Sequence, residues 1–282
     1  MAVKRRLSII IPAYNEEKRL PHTLEIIQAW GGECPFELEV IVVDDGSQDR
    51  TIDVVRAFQS KIPYLKLVQE THVGYMNAII SGLKKASSPL MASLEADCPV
   101  HPKTFELFTQ DLDRYDIVMG SRILTDLQSS MEGKSLFRRF ISWVSSNLFF
   151  FMFNCRIRDA QIGFKLYKKE VLDRVLPKLS LGHDGLKAAE IIVKAHAFGY
   201  RIKEVPVVYK HDEDSRCVPK GNYRVIVEAA WALIVLWARS YAEYRRGIIP
   251  QVPVRFSFLL WPFWRWIEVS EPMPQASSAR SI

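Results

Sequence analysis

The sequence predicts an α/β protein built on a mostly parallel, three-layer sheet, and two observations carry that prediction. From Ser8 to Arg122, short apolar runs rich in β-branched residues alternate with longer segments whose apolar residues recur at helical intervals, as in successive βα units. Each of four apolar runs also ends in a polar cluster, and open parallel sheets bind their ligands outside the carboxyl ends of the strands.

The first strand is LSIIIP, entered from Lys4, Arg5 and Arg6, which read as its solvated start; Glu16 to Trp30 then has helical spacing. LEVIVVD is the second strand, followed by a helix over Asp49 to Phe58. LKLVQ is the third, with a helix from Gly74 to Ala86, and LMASLEA the fourth, with a helix from Lys103 to Leu112. DIVMGS closes the regular part. Beyond Arg122 a basic loop leads to the aromatic-rich helix ISWVSSNLFFFMF, then to DAQIGFKLYKKEVL, a helix around Glu190 and the strand IKEVPVVYK, all expected to complete the same sheet. Gly221 to Tyr244 reads as one long helix with a dry face; after Gly247 prolines and aromatics alternate, and the last dozen residues read as a frayed end.

Composition narrows the class. With 282 residues and a quarter of them charged, the chain can bury a large core and is neither a disordered tail nor a disulfide-stapled module. Cys34, Cys98, Cys155 and Cys217 lie far apart, without the pairing that zinc or redox motifs need, and read as free thiols of a reducing compartment. The apolar run before Pro12 is too short for a secretory signal, so the catalytic part is expected to stay in the cytoplasm.

A net charge of +6 suits nucleic acid, an anionic membrane or a phosphorylated substrate, and position decides among them. Arg138 and Arg139 precede an aromatic run, Arg245 and Arg246 follow AAWALIVLWA, and Arg255 and Arg265 flank FSFLLWPFW. Trp and Phe beside Arg suit segments lying in a membrane interface, and none of the runs approaches the ~20 apolar residues of a spanning helix. A nucleic-acid module fits poorly, since the basic residues neighbour apolar stretches.

The polar clusters are PAYNEE, DDGSQD, EADCP and GSR. Each alone has a structural explanation, because Asp45-Gly46 is a common turn pair and Asn15-Glu16 can cap a helix. Four at one sheet edge point to a ligand. Glu95 and Asp97, one residue apart, suit a Mg²⁺ or Mn²⁺ shared with phosphate oxygens, where a metal offsets the charge growing on a departing diphosphate.

PAYNEE, VVDDGSQDRT, EAD, GSR, D-x-Q-x-GFK and EVPV together resemble family-two glycosyltransferases of the GT-A fold, from about Leu7 to about Arg216. Within that group they are most similar to the polyprenyl-phosphate (dolichyl-phosphate) mannose and glucose synthases. The resemblance implies an inverting transfer of a hexose from a nucleotide-diphosphate sugar of the GDP-mannose or UDP-glucose type to a polyprenyl phosphate. It puts Pro12, Ala13, Tyr14 and Glu16 on the donor and Asp45 on its base or ribose. Glu95, Ala96 and Asp97 would hold metal and diphosphate, and Arg122, Lys165 and the pair Ser215-Arg216 would contact phosphates. Asp97, Arg122 and Arg216 are the expected catalytic residues, and Asp159 and Gln161 fall at the sugar or acceptor edge. An ionised lipid phosphate needs positive charge more than it needs a base. The implied division is a GT-A catalytic domain over 1–220, an amphipathic interfacial segment over 221–270 and a flexible tail over 271–282.

The chain departs from the family pattern in three places. Glu95 stands where an aspartate is usual, Cys98-Pro99 follows Asp97 where a further polar ligand is frequent, and THVGYMNAIISGL lacks the basic residue often found there. His72, His101, His183 and His211 show no metal-ligand spacing and read as structural. Two other readings stay open: a hydroxyl acceptor, with Asp184 or Glu190 as general base, and a family member that binds nucleotide sugar or membrane without turnover. The expected location is peripheral, on the cytoplasmic face of a membrane. The segment after Gly247 suits lipid, a membrane-embedded partner or another copy of the chain.

Overall fold

A computed structural model describes residues 4–128, 149–150, 152–180, 186–209 and 223–250. Its strands are β1 (Arg5–Ala13), β2 (Phe36–Asp44), β3 (Leu65–Gln69), β4 (Leu90–Ser93), β5 (Ile117–Ser121), β6 (Lys165–Lys168) and β7 (Ile202–Pro206). They form one sheet in the order β3-β2-β1-β4-β6-β5-β7, so the later segments do join the sheet of the first half. Six strands run the same way, and β6 alone is antiparallel to both neighbours. The unbroken apolar runs of β1 and β2 follow from their central place. Ile9, Ile10, Ile11, Val40, Val42 and Val43 are all buried, because both faces of the strands are covered.

The helices are α1 (Leu20–Gly31), α2 (Thr51–Gln59), α3 (Tyr75–Lys85), α4 (Thr104–Thr109), α5 (Arg122–Gln128), α6 (Lys169–Val175), α7 (Lys187–Ala197) and α8 (Tyr223–Arg245). Helix α1 starts four residues later than its spacing suggested. Pro21 occupies its first turn, where a missing N–H costs nothing, and residues 14–19 are spent on loop contacts described below.

Strand β4 also stops short of the predicted LMASLEA. Leu94 N still bonds Ile10 O at 2.9 Å, but Cys98 N then bonds Glu95 O at 3.0 Å, closing a turn with Cys98 at φ 47°. The carboxylates Glu95 and Asp97 therefore sit on a turn beyond the strand.

Two packing contacts set the geometry of the site. Phe164, just before β6, stacks on Phe105 of α4 with centroids 4.1 Å apart and takes Phe108 edge-on, which pins the segment leading into β6. At Gly82 of α3, a β-carbon would lie 2.5 Å from Ile10 Cγ2 and 2.9 Å from Val43 Cγ2, so glycine lets α3 lie directly on β1 and β2.

Helix α8, predicted over Gly221 to Tyr244, is anchored by a buried charge cluster. Lys194 of α7, 1% exposed, lies 3.0 Å from Glu190 and 3.0 Å from Glu243 of α8; Glu190 also accepts Ser180 N at 2.6 Å and Ser180 Oγ at 2.8 Å. Leu236 of α8 is fully buried, whereas Trp231 and Ile234 are exposed. Removing the lysine strands two carboxylates. Lys194→Met should therefore lower stability by about 3–5 kcal/mol, read by urea unfolding, and an unchanged midpoint would contradict this account of how α8 is held.

Candidate active site

The chain winds from β1 outward through β2 and β3, then crosses to β4 on the other side of β1. The carboxyl ends of β1 and β4 therefore flank the topological switch point, where doubly wound sheets open a crevice. PAYNEE leaves one side of that crevice and EAD the other. Because β6 is reversed, its amino end reaches the same edge and brings Asp159 to Lys165 beside the ends of β4 and β5.

The β1 and β2 loops interlock before any ligand is considered. Asp45 N donates to Ala13 O at 2.8 Å, Asn15 N to Ser47 Oγ at 2.9 Å, Gln48 N to Asn15 Oδ1 at 2.7 Å and Glu16 N to Thr51 Oγ1 at 2.8 Å. Gly46 at φ 74° turns this loop, and a β-carbon there would lie 3.0 Å from His72 N. The buried Asp45 carboxylate accepts Val73 N at 2.6 Å and Gly74 N at 3.0 Å, which draws the entry to α3 onto the end of β2. Tyr14 and His72 pack ring to ring at 4.4 Å above it, and His72 Nδ1 lies 3.2 Å from Asp45 O. Pro12, Ala13, Tyr14 and Asp45 are thus brought together as one wall.

Glu16 is a near-buried carboxylate gripped by Arg19 through two guanidinium nitrogens, and Arg19 Nη1 also lies 3.6 Å from Asp97. Arg19 lies just outside the PAYNEE cluster and carries no motif that marks it in the sequence. It carries charge from the PAYNEE loop to the carboxylate turn.

On that turn Ala96 is buried and its carbonyl accepts Thr23 Oγ1 of α1 at 2.6 Å. Glu95 accepts the Tyr209 hydroxyl at 2.8 Å. It fits because residue 163 is glycine: a β-carbon there would meet Glu95 Oε1 at 2.7 Å and the Tyr75 hydroxyl at 2.7 Å. Burial raises the Glu95 carboxyl above its usual range and the Asp97 charge adds to this, while Tyr209, Arg122 and Lys165 oppose it. Asp97 keeps 21% of its side chain exposed.

No group of three His, Cys, Asp or Glu side chains suited to a metal occurs among the described residues. One open carboxylate with a second, hydrogen-bonded one behind it does suit a divalent ion that draws its remaining oxygens from a bound diphosphate.

The cationic side is Arg122, at the junction of β5 and α5. Asp159 accepts its Nε at 2.8 Å, its Nη2 at 2.7 Å and its backbone N at 3.0 Å. Glu204 of β7 holds Asp159 in turn, accepting Asp159 N at 2.7 Å and Arg158 N at 2.9 Å. The Tyr209 ring lies 5.3 Å from the guanidinium, so one tyrosine touches both Glu95 and Arg122. The hydrogen bonds from Asp159 hold Arg122 firmly in its charged form. Its second terminal nitrogen, Nη1, is not engaged by Asp159. Gln161 is exposed at the rim.

Lys165 is 2% exposed, donates to Ile162 O, and lies within electrostatic reach of Asp159 and Glu95. Its ammonium therefore sits behind the carboxylates as their counter-charge.

Glu190 is spent in the α7–α8 cluster, and His101 accepts Lys103 N at 3.1 Å, a structural contact. Cys34, Cys98 and Cys155 are free thiols. Asp184, Ser215, Arg216, His183, His211, Cys217, Arg138, Arg139, Arg255 and Arg265 lie outside the described residues. Tyr209 escaped the sequence reading because IKEVPVVYK looks like strand to its end, whereas β7 ends at Pro206 and releases Tyr209 to the site.

Desolvation lowers the Lys165 ammonium from its ordinary 10.5 to about 8. The unfolded chain then holds more protons than the folded protein between those values, so folding becomes more favourable as pH rises through that window. Relative to Lys165→Met, the wild type should gain stability from pH 8 to 10.5 in urea unfolding; parallel pH curves would contradict the burial of a charged lysine.

The profile of Glycosyl transferase family 2 matches residues 8–176, which run from within β1 to beyond β6 and include the whole carboxylate turn. A dolichyl-phosphate beta-glucosyltransferase of Trichomonas vaginalis is 28% identical over 234 residues, 79% of this chain and 71% of that protein. The dolichyl-phosphate beta-glucosyltransferase of Mus musculus is 29% identical over 232 residues, 76% of this chain and 70% of that protein.

Among solved structures, the glucosyl-3-phosphoglycerate synthase of Mycobacterium tuberculosis superposes with a TM-score of 0.58 at 17% identity, over 83% of this chain and 80% of that one. A mannosyltransferase of Pyrobaculum calidifontis, in complex with GDP-Man and Mn²⁺, gives 0.56 at 23% identity, over 87% of this chain and 65% of that one. The sheet order, the carboxylate turn at the switch point and the match over more than half the chain agree: the protein belongs to glycosyl transferase family 2 and has the GT-A fold.

Proposed function

We propose that the protein transfers a hexose, with inversion, from a nucleoside-diphosphate hexose to a polyprenyl (dolichyl) phosphate at a membrane surface. The observation that carries this reading is the meeting, at one sheet edge, of the Glu95–Asp97 carboxylate turn with Arg122, a cation locked by Asp159. Glucose from a donor of the UDP-glucose type is the favoured sugar, because both curated relatives described above are dolichyl-phosphate beta-glucosyltransferases.

In this reading the base and ribose lie along the Tyr14–Asp45 wall, with Pro12, Ala13 and Glu16 shaping the loop. Asp97, with Glu95 behind it, would hold Mg²⁺ or Mn²⁺ together with the diphosphate. The metal would offset charge on the leaving diphosphate. Arg122 presents Nη1 to a phosphate, and Lys165 lies behind the buried carboxylates as a counter-charge. The acceptor phosphate oxygen attacks the anomeric carbon in line as the bond to the diphosphate breaks. A lipid phosphate arrives ionised, so no side chain need remove a proton. Arg216 and Gln161 are assigned to the acceptor and sugar edge by the family pattern.

The hydroxyl-acceptor alternative loses one of its two bases, since Glu190 is buried against Lys194. Asp184 remains as its candidate.

Peripheral attachment to a membrane is supported by Trp231 and Ile234 exposed on α8 and by Arg245 and Arg246 at its end. No helix among the described residues is long and apolar enough to cross a membrane.

The test supplies purified protein with Mn²⁺ or Mg²⁺, labelled UDP- and GDP-hexoses and a polyprenyl phosphate, and counts label in the organic phase. Label from a glucose donor, reduced at least a hundredfold in Asp97→Ala, is the expected result. Label carried instead to a hydroxyl acceptor, or undiminished in Asp97→Ala, overturns the reading.

A further inference from the structure

The stretch from Thr71 to Tyr75 contains no lysine or arginine, although it joins the Asp45 wall to the carboxylate turn. At one end Val73 N and Gly74 N bond the Asp45 carboxylate; at the other the Tyr75 hydroxyl crowds Gly163 beside Glu95. A diphosphate lying along this stretch meets carboxylates at both ends, so a cation there, in addition to the metal and Arg122, stabilises it.

A lysine reaches the first turn of α3, just beyond this stretch, from another element. Lys187 opens α7, is 9% exposed, and its ammonium donates to Asn77 Oδ1 in the first turn of α3. Asn77 Nδ2 bonds Val73 O at 2.6 Å, which fixes the amide and turns Oδ1 toward the lysine. An ammonium has three donors. Among the described residues Asn77 takes one, and no carboxylate forms an ion pair with Lys187. A near-buried charge held by one neutral amide is costly unless an anion completes its shell.

We propose that Lys187 is the donor-site cation of this chain, supplying from α7 the contact to the nucleotide diphosphate that the Thr71–Tyr75 stretch lacks. This rests on the donor site proposed above and adds a residue to it. The ligand class is a nucleoside diphosphate or its sugar ester.

Equilibrium titration of the full chain with UDP and with uridine, and with GDP and guanosine, in the presence of Mn²⁺ separates the possibilities. Lys187→Gln keeps a hydrogen-bond donor for Asn77 and removes the charge; Lys187→Arg keeps the charge. The expected result is a loss of diphosphate affinity of about tenfold to a hundredfold in Lys187→Gln, an unchanged nucleoside affinity, and recovery of most of the loss in Lys187→Arg. Equal losses for diphosphate and nucleoside, or a lower melting temperature with the affinity ratio unchanged, would make Lys187 a mere tether between helices and overturn the inference. Should the wild type bind neither diphosphate, the proposed donor site itself fails. Should Lys187→Gln not fold, the same ratio measured on Lys187→Met decides between the two roles.

Discussion

The ion pair between Arg122 and Asp159 is the constraint from which the candidate site is built. It ties the end of β5 to the segment leading into β6, and it does so across a reversal of chain direction that only β6 makes. Glu204 fixes Asp159 from β7, and Tyr209, released after β7, rests its ring on Arg122 while its hydroxyl holds Glu95. One guanidinium therefore sets the relation between β5, the approach to β6, β7 and the carboxylate turn. A charge pair of this kind, partly desolvated and doubly hydrogen-bonded, specifies geometry more than it adds stability.

The site concentrates like charges that the fold must hold apart until a ligand arrives. Glu16, Glu95, Asp97 and Asp159 are opposed by Arg19, Arg122 and Lys165, and burial pushes Glu95 up and Lys165 down. Groups displaced from their ordinary values in a crevice are what a binding site for a charged ligand requires. The Lys194 cluster holds α8 against α7, and the stacked Phe105 and Phe164 brace the approach to β6, so the polar edge rests on well-packed supports.

Much of this was legible in the sequence because periodicity reports burial. The long apolar runs of β1 and β2 and the amphipathic helices between strands announced the parallel half, and PAYNEE, DDGSQD and EAD marked the ligand edge. What escaped depended on closure over long distances. Strand direction leaves no periodic trace, so the reversal of β6 could not be read, and GFK looked like a ligand loop although Phe164 is core and Gly163 makes room for Glu95. Arg19 and Tyr209 are ordinary residues in their own segments. Tyr209 acquires its role only by meeting Glu95, 114 positions away. Glu190 stood as a candidate base because nothing local tells that Lys194, tied to Glu243 of α8, occupies it.

The central claim is that the edge formed by β1, β2, β4 and the reversed β6 binds a nucleoside diphosphate across the switch point. Diffraction from crystals grown with Mn²⁺ and UDP or GDP, with anomalous data at the manganese edge, tests it most directly. The account predicts the base against Tyr14 and Asp45, and an anomalous peak between Asp97 and the diphosphate. A nucleotide bound elsewhere, or a manganese peak remote from Asp97, would contradict it.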